Sequence, residues 1–258
     1  MAIQRPICRL WKPLKGYGEG NAIAQMNSRL SIDYLGDERF VPQAEIRSLV
    51  TTSRLILQDL YELFYYIEPT DSNLTTYSHR IYELFLRTAT EFESNCKGIL
   101  ESNGYTKQGN LNITDYYKIA PVARLQEYKV VFERWATPHE FKPFANWNQT
   151  ANMPLTWYQQ YNEVKHNRYT HFPKANLGNL MNAFSGLLSI LYAQYGVRMR
   201  YGYVTGLTIA QEEQCILDLN DFTIYAPHFP DDEKYDFIWD DLRGTANPVQ
   251  YYNFHREH

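Results

Sequence analysis

Residues 157–172, W-Y-Q-Q-Y-N-E-V-K-H-N-R-Y-T-H-F, run directly into 173–191, P-K-A-N-L-G-N-L-M-N-A-F-S-G-L-L-S-I-L. In the second stretch Leu177, Leu180, Met181, Phe184, Leu187, Leu188 and Leu191 recur at intervals of three and four, the stripe of an amphipathic core helix over about 174–195. Asn179, Ala183, Gly186 and Ile190 form a second, smaller face that lets a neighbour approach closely. The first stretch reads as a helix whose opening turn suits Pro154 and which must stop before Pro173. Trp157, Tyr161 and Val164 make its buried side, and Asn162, Lys165 and His166 share the adjoining face. The turn between the two helices gathers Lys165, His166, Arg168 and His171.

Working outward, the same periodicity predicts a helix after Pro42 (Ile46, Leu49, Val50, Ser53, Ile56, Leu57, Leu60, Phe64, Ile67), ended by Glu68-Pro69. A second helix is expected over Tyr77–Ser102, closing at Asn103-Gly104, with Ile81, Leu84, Phe85, Phe92, Cys96, Ile99 and Leu100 inward. Arg80, Arg87, Glu91 and Asn95 line one flank of that stripe, and Arg87 and Glu91 are spaced to meet on the surface. Leu111–Ala120 reads as a short helix capped by Thr114 and stopped near Pro121. Glu127–Trp135 reads as a strand. Residues 138–153 read as a loop pinned by Phe141, Phe144 and Trp147. Gly202–Thr208 and Asp221–Tyr225 are candidate strands. The expectation is one mainly α domain over 1–258, a bundle of four to five helices with minor peripheral β strands. An N-terminal arm or short strand pair (1–40) precedes a helical core (42–195). A C-terminal extension (196–258) carries a surface-lying acidic segment.

Composition sets limits on function. The 258 residues include 22 Tyr, 13 Phe and 5 Trp, bulky material for a thick core. The net charge of −4 offers no global attraction for nucleic acid or acidic lipid. From Asp221 onward eight Asp and Glu face three Lys and Arg, so residues 1–220 carry about +1 and any anion site is local. Three widely spaced cysteines without a CxxC read as reduced thiols and a cytoplasmic protein. The N-terminus lacks a secretory apolar region, and no run is long enough to span a membrane.

His166 is the best single candidate for chemistry, since an imidazole gives or takes a proton near neutral pH and Lys165 and Arg168 beside it suit a phosphate. The structural alternative comes first on spacing alone: basic residues in a last helical turn complement its negative end and cap free carbonyls. No metal site is expected. His166 and His171 flank a turn, no HExxH or Cys/His grid exists, and Glu91 and Glu93 point about 200° apart on a helix. G-Y-G-E-G at 16–20 lacks the strand and helix of a phosphate loop, and there is no GxSxG elbow. No cofactor is expected.

With these residues assembled, Pro42–Tyr195 resembles the HEPN superfamily of small helical bundles found in prokaryotic toxins, defence systems and their inactive relatives. The likeness rests on Y-N-E-V-K-H (161–166), the entry Trp157 and the helix A-N-L-G-N-L-M-N-A-F-S-G-L-L (175–188). R-I-Y-E-L-F-L-R-T-A-T-E-F-E (80–93) is similar to uncharacterised bacterial proteins of this sort. Catalytic members carry an Arg-polar-x-x-x-His ribonuclease motif, usually at a dimer interface. The resemblance therefore implies a metal-independent endoribonuclease or RNA- or nucleotide-binding protein of stress or phage defence, with Asn162 and His166 catalytic. Lys165, Arg168 and Arg87 would hold phosphate, with Glu91 and Tyr161 in support. The motif's arginine position is Tyr161, which cannot supply a positive charge at neutral pH, so the charge must come from elsewhere. The competing reading is a non-catalytic scaffold or dimerisation domain in which Asn162 and His166 tie two helices together.

Overall fold

Ser78 starts the longest helix of the described chain: its side chain accepts the Ile81 N–H at 3.2 Å, satisfying one of the free donors of the first turn. In the computed structural model, residues 2–15, 39–40, 43–137, 139–148, 151–152, 154–196 and 221–255 are described. Helix α1 is Gln43–Leu63 and α2 is His79–Ser102. Helix α2 ends as its Asn-Gly pair predicts: Gly104 has φ +78°, the Gly104 N–H reaches the Glu101 carbonyl at 2.9 Å, and the Tyr105 N–H reaches that of Leu100 at 3.0 Å.

Two short helices, α3 (Ile113–Tyr116) and α4 (Ile119–Ala123), replace the single one expected. The cap is Asn112, not Thr114, because the Asn112 side chain accepts the Thr114 N–H while Asp115 reaches back to the Asn112 N–H. Pro121 sits inside α4, where an early helical position has no N–H to lose. Strand β1 (Lys129–Phe132) lies between β2 (Glu140–Phe141) and β5 (Phe222–Tyr225) in an antiparallel sheet, with Val130 opposite Phe141 and Ile224. The expected loop also contains the small hairpin β3 (Trp147–Asn148) and β4 (Ala151–Asn152). Its three aromatics are pinned as expected: Phe141, Phe144 and Trp147 are all buried.

Helix α5 (Thr156–His166) leads through α6 (Arg168–His171) and a 3-10 turn (Phe172–Lys174) to α7 (Leu177–Tyr195). A bridge between Tyr77 and Asn176 ties the starts of α2 and α7, and Gln194 Nε2 donates to Asn95 Oδ1 at 2.9 Å near their ends. The two core helices therefore run in the same direction, with α1 and α5 on their flanks. The small face of α7 works as read: a Cβ on Gly186 would lie 3.2 Å from Trp157 Cζ2, so glycine lets the indole seat. A last short helix, α8, is Trp239–Leu242. The architecture is mainly helical with minor strands, as expected.

The described part of the expected N-terminal arm is a packed segment. Ile7, Leu10, Trp11 and Leu14 are core residues, and the Trp11 N–H donates to the Ala193 carbonyl at 2.7 Å. The 231–241 segment supplies its other wall. Its acidic residues are exposed except Glu233, which turns to Lys12 and Arg124, while Tyr235 and Trp239 are buried, and the Tyr235 hydroxyl accepts the Ile7 N–H at 3.0 Å. Tyr235, Phe237 and Trp239 turn inward at every second position while Asp236 and Ile238 are exposed, a pattern the acidic count hides. Residues 16–20 and Gly202–Thr208 lie outside the described residues.

Lys12 is 4% exposed, 3.7 Å from Glu233 and over the Phe229 ring. Burial outweighs Glu233 and pulls its ammonium from 10.5 down to about 8. Between those values the unfolded chain binds more protons, so this group makes stability rise with pH; below them the buried charge costs on the order of 3 kcal/mol. Lys12→Met is expected to gain most over wild type near neutral pH, and the gain should shrink as pH climbs through that window. Urea titrations at successive pH values read this directly. A constant difference would refute it.

Candidate functional site

Helix α5 is held on α2 by a polar seam that the sequence did not single out. Tyr158 and Tyr161 are both buried, and their hydroxyls converge on the half-buried Glu93. Tyr158 donates to one carboxylate oxygen, and the Tyr161 oxygen lies 3.5 Å from the other. Burial, reinforced by Glu93, pushes the Tyr158 phenol well up, so it remains a donor throughout the physiological range. Lys165 Nζ then donates to the Tyr161 oxygen at 3.0 Å. That bond, opposed by partial burial, raises the Lys165 pKa. Tyr161 is thus a core residue that fixes Lys165. Only the i, i+3 spacing of two tyrosines opposite a carboxylate on α2 hinted at the arrangement.

Beyond Val164 the chain emerges. Residues 165–170 are all exposed, placing Lys165, His166, Arg168 and Tyr169 on one protruding knuckle. The Asn167 N–H closes α5 on the Glu163 carbonyl at 2.9 Å, and the Asn167 side chain caps α6 by accepting the Thr170 N–H at 3.2 Å. Backbone and Asn167 therefore do the capping, and Lys165 spends its donor on Tyr161 rather than on a carbonyl. The Arg168 guanidinium sits 5.6 Å from the centre of the Tyr82 ring, a cation–π seat on α2. Asn162, one turn before His166, is half-buried on the same face. The Glu163 carboxylate is occupied by Lys174, which holds it below the usual carboxylate range.

The remaining expected site residues lie elsewhere. Arg87 pairs with Asp59 of α1 rather than with Glu91. Arg87 and Glu93 are about 120° apart around α2, so the flank bearing Arg87 turns away from α5. Glu91 accepts from Asn95 Nδ2 at 3.3 Å and lines a cleft of about 120 Å³ with Arg9 and Glu45. Burial raises its carboxyl against the opposing Asn95 bond. The structure therefore brings together Asn162, Lys165, His166 and Arg168, with Tyr161 behind them, and leaves Arg87 and Glu91 outside.

No family model, curated protein or solved structure matches this chain. The site must be read from its own geometry.

Among the described residues no group of three His, Cys, Asp or Glu is placed to hold a metal ion. No described helix is long and apolar enough to cross a membrane. Cys8 and Cys96 are free and buried, and burial pushes the Cys8 thiol up to about 11 against the nearby Arg9. Because Arg87 serves an exposed pair, Arg87→Ala is expected to cost about 0.2–1 kcal/mol of stability. Thermal unfolding checks this, and a loss of several kcal/mol would contradict it.

Proposed function

We propose that this chain is a HEPN-like helical protein that engages RNA or nucleotide phosphate at the α5–α6 knuckle. One observation carries the reading: Lys165, His166 and Arg168 stand exposed within four residues, and among the described residues none is paired with a carboxylate. Two cations outside any direct ion pair, one bonded to Tyr161 with Glu93 behind it and the other seated on Tyr82, suit phosphate oxygens. The overall charge of −4 keeps this attraction local. Binding should weaken with salt, and Lys165→Ala and Arg168→Ala should each reduce the slope of log affinity against log salt by about one phosphate contact. Affinity indifferent to salt and to both variants removes the proposal.

A catalytic form of the reading uses His166 for proton transfer, with Lys165 or Arg168 supplying the charge that Tyr161 cannot. Its test is a mixed RNA pool incubated with wild type and His166→Ala, metal chelated. Cleavage lost in the variant supports catalysis; RNA left intact by both folded proteins leaves binding alone.

The non-catalytic dimerisation reading draws on a different observation. Tyr65 and Tyr66, at the end of α1, are 84% and 82% exposed. Adjacent exposed aromatics are typical interface anchors. Sedimentation that gives a monomer at all concentrations would dispose of it.

A further inference from the structure

Tyr169 is 99% exposed, the most exposed of the large apolar side chains described. A phenol ring fully in water contributes nothing to the core, and Thr170 and Asn167 already supply the local capping bond. It stands between Arg168 and Thr170 on the four-residue helix α6, whose base is anchored by the ring of Phe172 against Tyr77 and Tyr82, with centroids 5.5 and 6.0 Å apart. The platform is therefore fixed while both faces of the Tyr169 ring remain open. Arg168, the preceding residue, is held on Tyr82 with the edge of its guanidinium free for an anion. Lys165 stands one turn earlier, held by Tyr161.

An open aromatic face flanked by positioned cations matches one repeat of a nucleic-acid strand: phosphate on the cation, base on the ring. Bases inside a duplex are already stacked and present no face, so such a ring selects unpaired nucleotides. We propose that Tyr169 is the base-stacking residue of the knuckle and confers preference for single-stranded over double-stranded RNA. This rests on the RNA-binding reading and adds the strandedness and the residue that reads it. The neighbouring carboxylate, Glu163, is neutralised by Lys174 and does not repel the strand.

The test is fluorescence anisotropy with a labelled single-stranded RNA oligonucleotide and with the same sequence annealed into a duplex. Wild type, Tyr169→Ala, Tyr169→Phe and Tyr169→Trp are compared, each checked for folding by circular dichroism. Wild type is expected to prefer the single strand, and Tyr169→Ala to bind it on the order of 10-fold more weakly with the duplex little changed. Phe and Trp should retain binding, because stacking needs the ring and not the hydroxyl. Equal affinity for strand and duplex, or a Tyr169→Ala affinity like wild type, overturns the stacking role while leaving phosphate binding standing. Absence of binding to either RNA overturns both. Loss of self-association in Tyr169→Ala without change in RNA affinity would show that the ring serves a protein contact, which also overturns the inference.

Discussion

Phe92→Ala is expected to lose about 3–5 kcal/mol of stability. Phe92 is fully buried in α2, and its ring lies within 6.4 Å of Tyr116, Phe144, Trp157 and Tyr158. These four belong to α3, the loop before β3, and α5, so one cavity would loosen three elements that converge on this ring. The seam that seats α5 loosens with them, because Tyr158 touches both Phe92 and Glu93. A fall in melting temperature of roughly 10 °C should accompany the change. Phe92→Leu, which keeps most of the volume, should cost about 1.5 kcal/mol or less. Denaturant unfolding distinguishes the cases. A Phe92→Ala variant close to wild type would mean that α5 is held by something other than this aromatic cluster.

Asp115→Ala is expected to cost about 3 kcal/mol through unsatisfied polar groups rather than lost volume. Asp115 is buried and accepts the Tyr105 hydroxyl at 2.8 Å, the Asn112 N–H at 2.8 Å and the Lys107 ammonium. Without it a buried phenol and the α3 cap lose their acceptor together. Burial alone would raise this carboxyl, but Lys107, the Asn112 N–H and Tyr105 outweigh it and hold the folded value below the ordinary 3.8. A depressed carboxylate stabilises fully above its unfolded value and loses that contribution as pH falls through the folded one. The gap between wild type and variant should therefore be constant near neutral pH and narrow in acid below about pH 4. Urea midpoints measured across that range check the sign, and a gap that widens in acid contradicts it.

The helices were legible because their burial repeats every three to four residues and their ends carry side-chain signals. Asn103-Gly104 and the α7 stripe each mark what the structure shows. The N-terminal segment was not legible. Residues 2–15 pair by isolated bridges with Tyr235 and Gln250, more than 200 positions away, and such partners leave no local period. Within the site, sequence spacing put Asn162, Lys165 and His166 on one face, and the structure keeps them there. Spacing could not show that Arg87 turns to Asp59, because both flanks of an amphipathic helix read alike until their neighbours are known. Spacing did place Tyr161 on the buried side of its helix, where it packs on Phe85, but it could not show that the Tyr161 hydroxyl supports Lys165. Tyr169 carried no signal in the sequence that set it apart from its neighbours.

An RNA titration followed by backbone-amide NMR of the whole chain tests binding at the knuckle most directly. Shift changes are expected to concentrate between Asn162 and His171, with Arg87 and Glu91 unmoved and the effect abolished in the Lys165→Ala, Arg168→Ala double variant. Changes centred elsewhere, or none at all with a folded protein, would contradict it.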